Sequence, residues 1–88
     1  FVLSKQMLRS GTAIGALIRE AEYAQSKADF VHKLSIALKE ANETAYWISL
    51  LKDSEYMEET GAISLMNDCY ELIKLLTSII VTSKQSAK

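Results

Sequence analysis

An all-α fold is what this sequence predicts, on three observations. Apolar residues recur at three- and four-residue steps along three long segments, the 88 residues include no proline, and the breaks between segments are short and polar. Residues 1–88 therefore read as a single helical-bundle domain. A chain this short buries only about 60 to 65% of its unfolded surface, so its stability would gain from a partner chain. With 49% apolar and 24% charged residues it has the composition of a folded protein.

The first helix is predicted from about Val2 to Tyr23, with Leu3, Met7, Ile14, Ile18 and Ala21 on one face. Within it, Gly11 and Gly15 form a Gly-x-x-x-Gly pattern beside Ala16. Glycine inside a helix costs about 1 kcal/mol relative to alanine, so the pair asks for a reason, and close helix approach inside the bundle supplies one. A phosphate-cradling loop does not fit, because no strand precedes the glycines and no Gly-Lys-Ser/Thr follows. Membrane dimerisation does not fit either, with Arg9, Arg19 and Glu20 in the same helix.

A second helix should start near Lys27. Ser26 can accept the amide of Asp29, whose carboxylate suits the positive helix end. From there a 4-3-4-3 seam runs through Phe30, Leu34, Ala37, Ala41, Thr44, Ile48 and Leu51, the repeat of helices that pack in bundles. Val31, Leu38 and Ala45 make a neighbouring stripe, while Ile36, Trp47 and Leu50 lie on another side. A helix apolar on several faces is covered from several directions.

Residues 52–60 read as the second connection, with Glu58 and Glu59 suited to the start of the next helix. The third helix is expected from about Glu59 to Thr82. Its seam is Ala62, Met66, Cys69, Ile73, Leu76 and Ile80, with Leu65, Leu72 and Ile79 beside it. The polar tail from Ser83 is expected to fray.

Charge excludes a strongly basic protein. Ten Lys and Arg stand against eleven Asp and Glu, although residues 1–40 carry six basic and four acidic side chains and residues 41–88 four basic and seven acidic. The lone Cys69 rules out an intramolecular disulfide framework, and the longest apolar stretch, around Leu72 to Val81, is broken by Lys74 and Ser78 and is far short of a membrane span. A cytoplasmic location is the expectation.

Candidate chemistry is sparse. His32 is the sole histidine, and Asp29 three residues earlier resembles half of a di-iron element; one histidine cannot complete such a site, so it reads as a surface residue. Cys69 lies on a core seam beside Asp68 and Glu71, which oppose thiolate formation, so it reads as a small buried apolar residue. Glu40 and Glu43 share a side of the second helix and are expected to pair with Arg9 or Arg19 instead of acting as an acid/base couple. Lys5, Arg9, Arg19, Lys27, Lys33 and Lys39 would form a modest basic patch if the first two helices packed antiparallel, a possible nucleic-acid surface, although Glu20, Glu22 and Asp29 interrupt it. No catalytic, cofactor-binding or metal residues are assigned.

Arg9-Ser10-Gly11-Thr12, Ile14-Gly15-Ala16, Ile18-Arg19-Glu20-Ala21, Ser26, Asp29-Phe30, Lys33-Leu34, Ile36-Ala37, Glu40 and Glu43 together make a pattern over two helices. It resembles the bacterial four-helix-bundle proteins encoded in intervening sequences of 23S rRNA genes, which are related to the accessory variability determinant of diversity-generating retroelements. The resemblance is strong from Gln6 to Leu51 and looser through the third helix. It implies an up-and-down four-helix bundle of which three helices are in this chain, the first lying upstream of Phe1, and assembly as a homo-oligomeric, pentameric ring. Two departures stand out: Leu17 occupies a place where the family commonly has Asn, and the slightly acidic balance differs from the basic ring of the retroelement branch.

The resulting expectation is a non-enzymatic oligomeric scaffold or interaction protein without cofactor, membrane partner or small-molecule substrate. Its interface is expected to draw on Ile36, Glu40, Glu43, Trp47 and Leu50. The alternative is an RNA- or DNA-binding accessory of a ribonucleoprotein or reverse transcriptase.

Overall fold

The computed structural model describes residues 2–54 and 58–85, with side chains described from residue 5 onward except that of residue 7. All of its regular structure is helical: α1 spans Val2–Glu22, α2 Lys27–Asp53 and α3 Glu59–Gln85. At about 1.5 Å per residue the 27-residue helices are roughly 40 Å long, which accounts for most of the 48 Å long dimension of the chain.

The helix boundaries follow from local chemistry. At the end of α1 the chain tightens, Tyr23 N–H donating to the Glu20 carbonyl and Ala24 N–H to that of Ala21, each at 3.1 Å. Ser26 then adopts extended backbone (φ −154°, ψ 164°), and its Oγ accepts the Asp29 N–H at 3.0 Å, so the expected cap is formed. Helix α2 continues to Asp53, two residues into the expected connection, and Ser54 closes it by donating its N–H to the Leu50 carbonyl at 2.9 Å. Helix α3 runs to Gln85, past the expected stop at Thr82. Nothing in Ser83-Lys84-Gln85 breaks a helix, and Lys84 in the last turn suits its negative end.

Short connections reverse the chain twice, so α1 and α3 both run antiparallel to α2. Helix α2 is the centre of the fold: α1 and α3 each pack along it, while among the described residues no Cα atom of α1 comes within 8 Å of one in α3. The core is built where the seams meet. Leu34, Ala37 and Ala41 of α2 pack with Ile14 and Ala21 of α1 and with Leu76 and Ile80 of α3, and a second cluster joins Ile48 to Ala62 and Cys69. Ala37, Ala41 and Ala62 are wholly inaccessible, and small side chains at these points let the helix axes approach closely. Leu51 and Leu76 are the largest fully buried side chains, each contributing about 1.5 to 3 kcal/mol of burial.

The predicted core is largely the observed one. Phe30, Val31, Leu38, Leu72, Ile73 and Ile79 pack around the first cluster and Ala45 and Met66 around the second. Leu3 and Met7, expected on the inner face of α1, lie outside the described side chains. The glycine pair departs from expectation. Gly11 and Gly15 are exposed, and a Cβ on either would meet nothing within 4 Å, so they mediate no close approach among these three helices.

Candidate functional site

Because the backbones of α1 and α3 stand apart on either side of α2, an open groove of about 460 Å³ runs between them, floored by Thr44 and Ile48 of α2. Its α1 wall is Leu8, Gly11, Thr12 and Ile14, and its α3 wall is Leu65, Asp68, Cys69 and Leu72. The lining is almost wholly apolar, yet Leu8 is 70% exposed and Leu65 42%. Leucines left in water along a groove forgo about 1.5 to 3 kcal/mol each that full burial would bring. Gly11 sits in the α1 wall, and Gly15 is one turn further along the same side.

Chemistry in the groove rests on Cys69 alone. Its thiol is buried and donates to the Ala41 carbonyl at 3.2 Å, bridging α3 to α2. Burial pushes the thiol pKa above its ordinary value, and a backbone group of Ala45 pulls weakly the other way. The direction matches the sequence reading, but the cause is desolvation instead of the neighbouring acids. A protonated thiol held against a carbonyl is a packing group, not a nucleophile. Among the described residues no three His, Cys, Asp or Glu side chains converge as a metal-binding set. His32 is exposed and borders a separate concavity with Lys27, Val31 and Lys84, at the opposite end of α2 from Ile48.

The six basic candidates do not converge within one subunit. Lys5, Arg9 and Arg19 are exposed on α1; Lys33 of α2 pairs with Glu20 at 3.2 Å; Lys39 borders a concavity with Gln6 and Tyr46, and Lys27 the one beside His32. With side chains 29% and 55% exposed, the Lys33–Glu20 pair contributes at most about 1 kcal/mol. The helices are antiparallel as the patch required, and Arg19 and Lys33 line one concavity with Glu20 and Asp29, but Lys39 and Lys27 border others, so the six do not form one patch. Among the described residues, neither Glu40 nor Glu43 forms an ion pair with Arg9 or Arg19. Glu43 points to solvent and Glu40 is half-buried, so the expected neutralisation is not made within the subunit.

The five interface candidates do share one strip of α2. Ile36, Glu40, Trp47 and Leu50 are half-buried and Glu43 is exposed, and none of the three apolar members belongs to either core cluster. Trp47 stacks edge-on with the exposed Tyr46, ring centres 5.2 Å apart. Sequence reasoning missed a further apolar surface on α3, where Ile63, Tyr70, Leu75 and Val81 are 45 to 57% exposed. The signal was present: these residues lie off the α3 seam, and the exact seven-residue step from Ile63 to Tyr70 marks a second face.

No helix among the described residues is long and apolar enough to cross a membrane. Comparison with known proteins places this architecture. A crystal structure of a protein of unknown function from the S23 ribosomal protein family of Bacteroides thetaiotaomicron is 64% identical, superposes with a TM-score of 0.88, and matches over 91% of this chain and 71% of that one. A search among curated proteins found no match. Residues 1–78 match the family described as 23S rRNA-intervening sequence protein. The chain belongs to that family.

Proposed function

We propose that this chain is the subunit of a non-enzymatic, homo-oligomeric scaffold, a four-helix bundle whose fourth helix lies in the groove between α1 and α3. The observation that carries the reading is the groove itself. It is apolar, open to solvent, and walled by helices whose backbones stay more than 8 Å apart at every described Cα pair. In an up-and-down bundle each helix has two neighbours, and α1 and α3 each have one, so a single added helix would complete both. Gly11 and Gly15 then acquire a purpose, since a helix laid in the groove can approach α1 closely where side chains are absent. The related crystal structure supports the added helix, because more than a quarter of its chain extends beyond the match.

Oligomerisation is supported by apolar groups that a groove-filling helix would not cover: Ile36, Trp47 and Leu50 on α2 and Ile63, Tyr70 and Val81 on α3. A pentameric ring is the assembly implied by family likeness. The separation of the basic residues over several faces supports a scaffold ahead of a nucleic-acid binder. Sedimentation equilibrium of the full-length protein tests the proposal. The expected result is an assembly at about 10 μM subunit, where a Kd near 1 μM leaves most chains associated. A compact monomer at that concentration rejects the scaffold reading.

A further inference from the structure

Two exposed stripes on the flanking helices match each other in spacing, height and charge. On α1, Lys5, Arg9, Thr12 and Ala16 follow a 4-3-4 step and are all exposed. On α3, Ser64, Asp68, Glu71 and Leu75 follow the same step and are likewise exposed. The first stripe is basic and the second acidic. From Val2 to Arg19 the chain has three cations and no acid, and from Glu58 to Glu71 four acids and no cation. No ion pair neutralises Lys5, Arg9, Asp68 or Glu71 among the described residues.

Height along the bundle is the second element of the argument. Helices α1 and α3 run in the same direction, and the groove between them brings Leu8, Gly11 and Thr12 level with Leu65, Asp68 and Leu72. Arg9 is therefore within about one turn of Asp68 and Glu71 in height, and Ala16 within about one turn of Leu75. A rotation about an axis parallel to the helices leaves heights unchanged. Applied to this subunit, it sets the α1 stripe of one copy against the α3 stripe of the next in register, cations facing acids and Leu75 facing the small Ala16.

We infer that copies of this chain associate head to tail, the basic stripe of α1 on one subunit seated against the acidic stripe of α3 on its neighbour; this rests on the oligomeric reading above and specifies its contact. The geometry is heterologous, so each subunit offers two different surfaces, and a purely rotational repeat closes into a ring instead of a filament. The α2 candidates adjoin the contact: Gln6, next to Lys5 on α1, shares a concavity with Glu43 and Trp47.

Two variants of the full-length protein test it. K5E/R9E makes the α1 stripe acidic, and D68R/E71R makes the α3 stripe basic. Lys5, Arg9 and Glu71 are exposed away from the groove, so K5E/R9E should match the parent in helical content and melting by circular dichroism; Asp68 also borders the groove, so D68R/E71R is run beside E71R alone, which leaves the groove wall intact. Each variant alone sets like charges face to face, and its dissociation constant should rise more than about tenfold by sedimentation. Mixed in equal amounts, the two should reassociate through contacts between unlike variants, each pairing a cation stripe with an acid stripe; a five-membered ring cannot alternate throughout, so the expected products are mixed dimers, open chains and even-numbered rings larger than either variant forms alone. Variants that each assemble as tightly as the parent overturn the assigned contact while leaving the oligomer reading intact. A parent that is monomeric overturns both.

Discussion

The two helices that flank α2 have the same direction and the same partner, but they are finished to different degrees. Helix α1 leaves one large described apolar side chain in water, Leu8, and thins its open side with Gly11 and Gly15. Helix α3 exposes five, Ile63, Leu65, Tyr70, Leu75 and Val81, while anchoring itself through Ala62, Cys69, Leu76 and Ile80. One helix is trimmed for close approach and the other carries surplus apolar area on two sides. The contrast teaches that the open faces differ in kind: α1 borders the groove with little side-chain bulk, whereas α3 leaves broad apolar area on its outer side.

The largest expected effect breaks the comparison at its anchor. Leu76→Ala removes a side chain that is 2% exposed in the cluster joining all three helices, and urea unfolding should show a loss of about 2 to 5 kcal/mol. A loss below about 1 kcal/mol would mean that α3 is not held as described.

A smaller change sharpens the contrast through its sign. With nothing within 4 Å of an added Cβ, Gly11→Ala should stabilise a subunit with an open groove by about 1 kcal/mol, through helix propensity. If a helix occupies the groove in the full-length protein, the same substitution should lower the melting temperature, because the methyl group intrudes on a close contact. The smallest effect belongs to the outer side of α3, where Leu75→Ser in the dissociated subunit should stay within about 0.5 kcal/mol of the parent by chemical denaturation. A greater cost would place Leu75 in the subunit's own core.

Much of the fold was legible because its determinants are local. The Ser26–Asp29 cap involves three residues of separation, and the seams through Leu34, Ala41 and Ile48 and through Ala62, Cys69 and Leu76 require only the helical period. What depended on the relative placement of helices was harder to read. Gly11 and Gly15 announce a close approach without saying to which helix, and the neighbour turns out to be neither α2 nor α3. Glu40 was assigned an arginine on α1, but the observed pairing in that pair of helices is Lys33 with Glu20, since the crossing sets which charges meet. Likeness to a four-helix fold with one helix missing implied an apolar surface left to cover, but not its place: nothing in either helix alone records that α1 and α3 flank α2 with their backbones apart.

The contact between the Cys69 thiol and the Ala41 carbonyl makes the protein its own stopwatch for opening. The sulfur belongs to α3 and its acceptor to α2, 28 residues earlier, and the residue borders the groove, so once the groove is covered a thiol reagent gains access when these helices part. Its labelling rate then scales with the fraction of time the seam spends open, and converts directly into a local opening free energy. Alkalinity would bias that same breathing. Between the thiol's ordinary pKa of 9.0 and the higher value imposed by burial, the folded chain retains a proton that the unfolded chain releases. Stability must therefore decline as pH climbs through this window, and the α2–α3 seam should open more often.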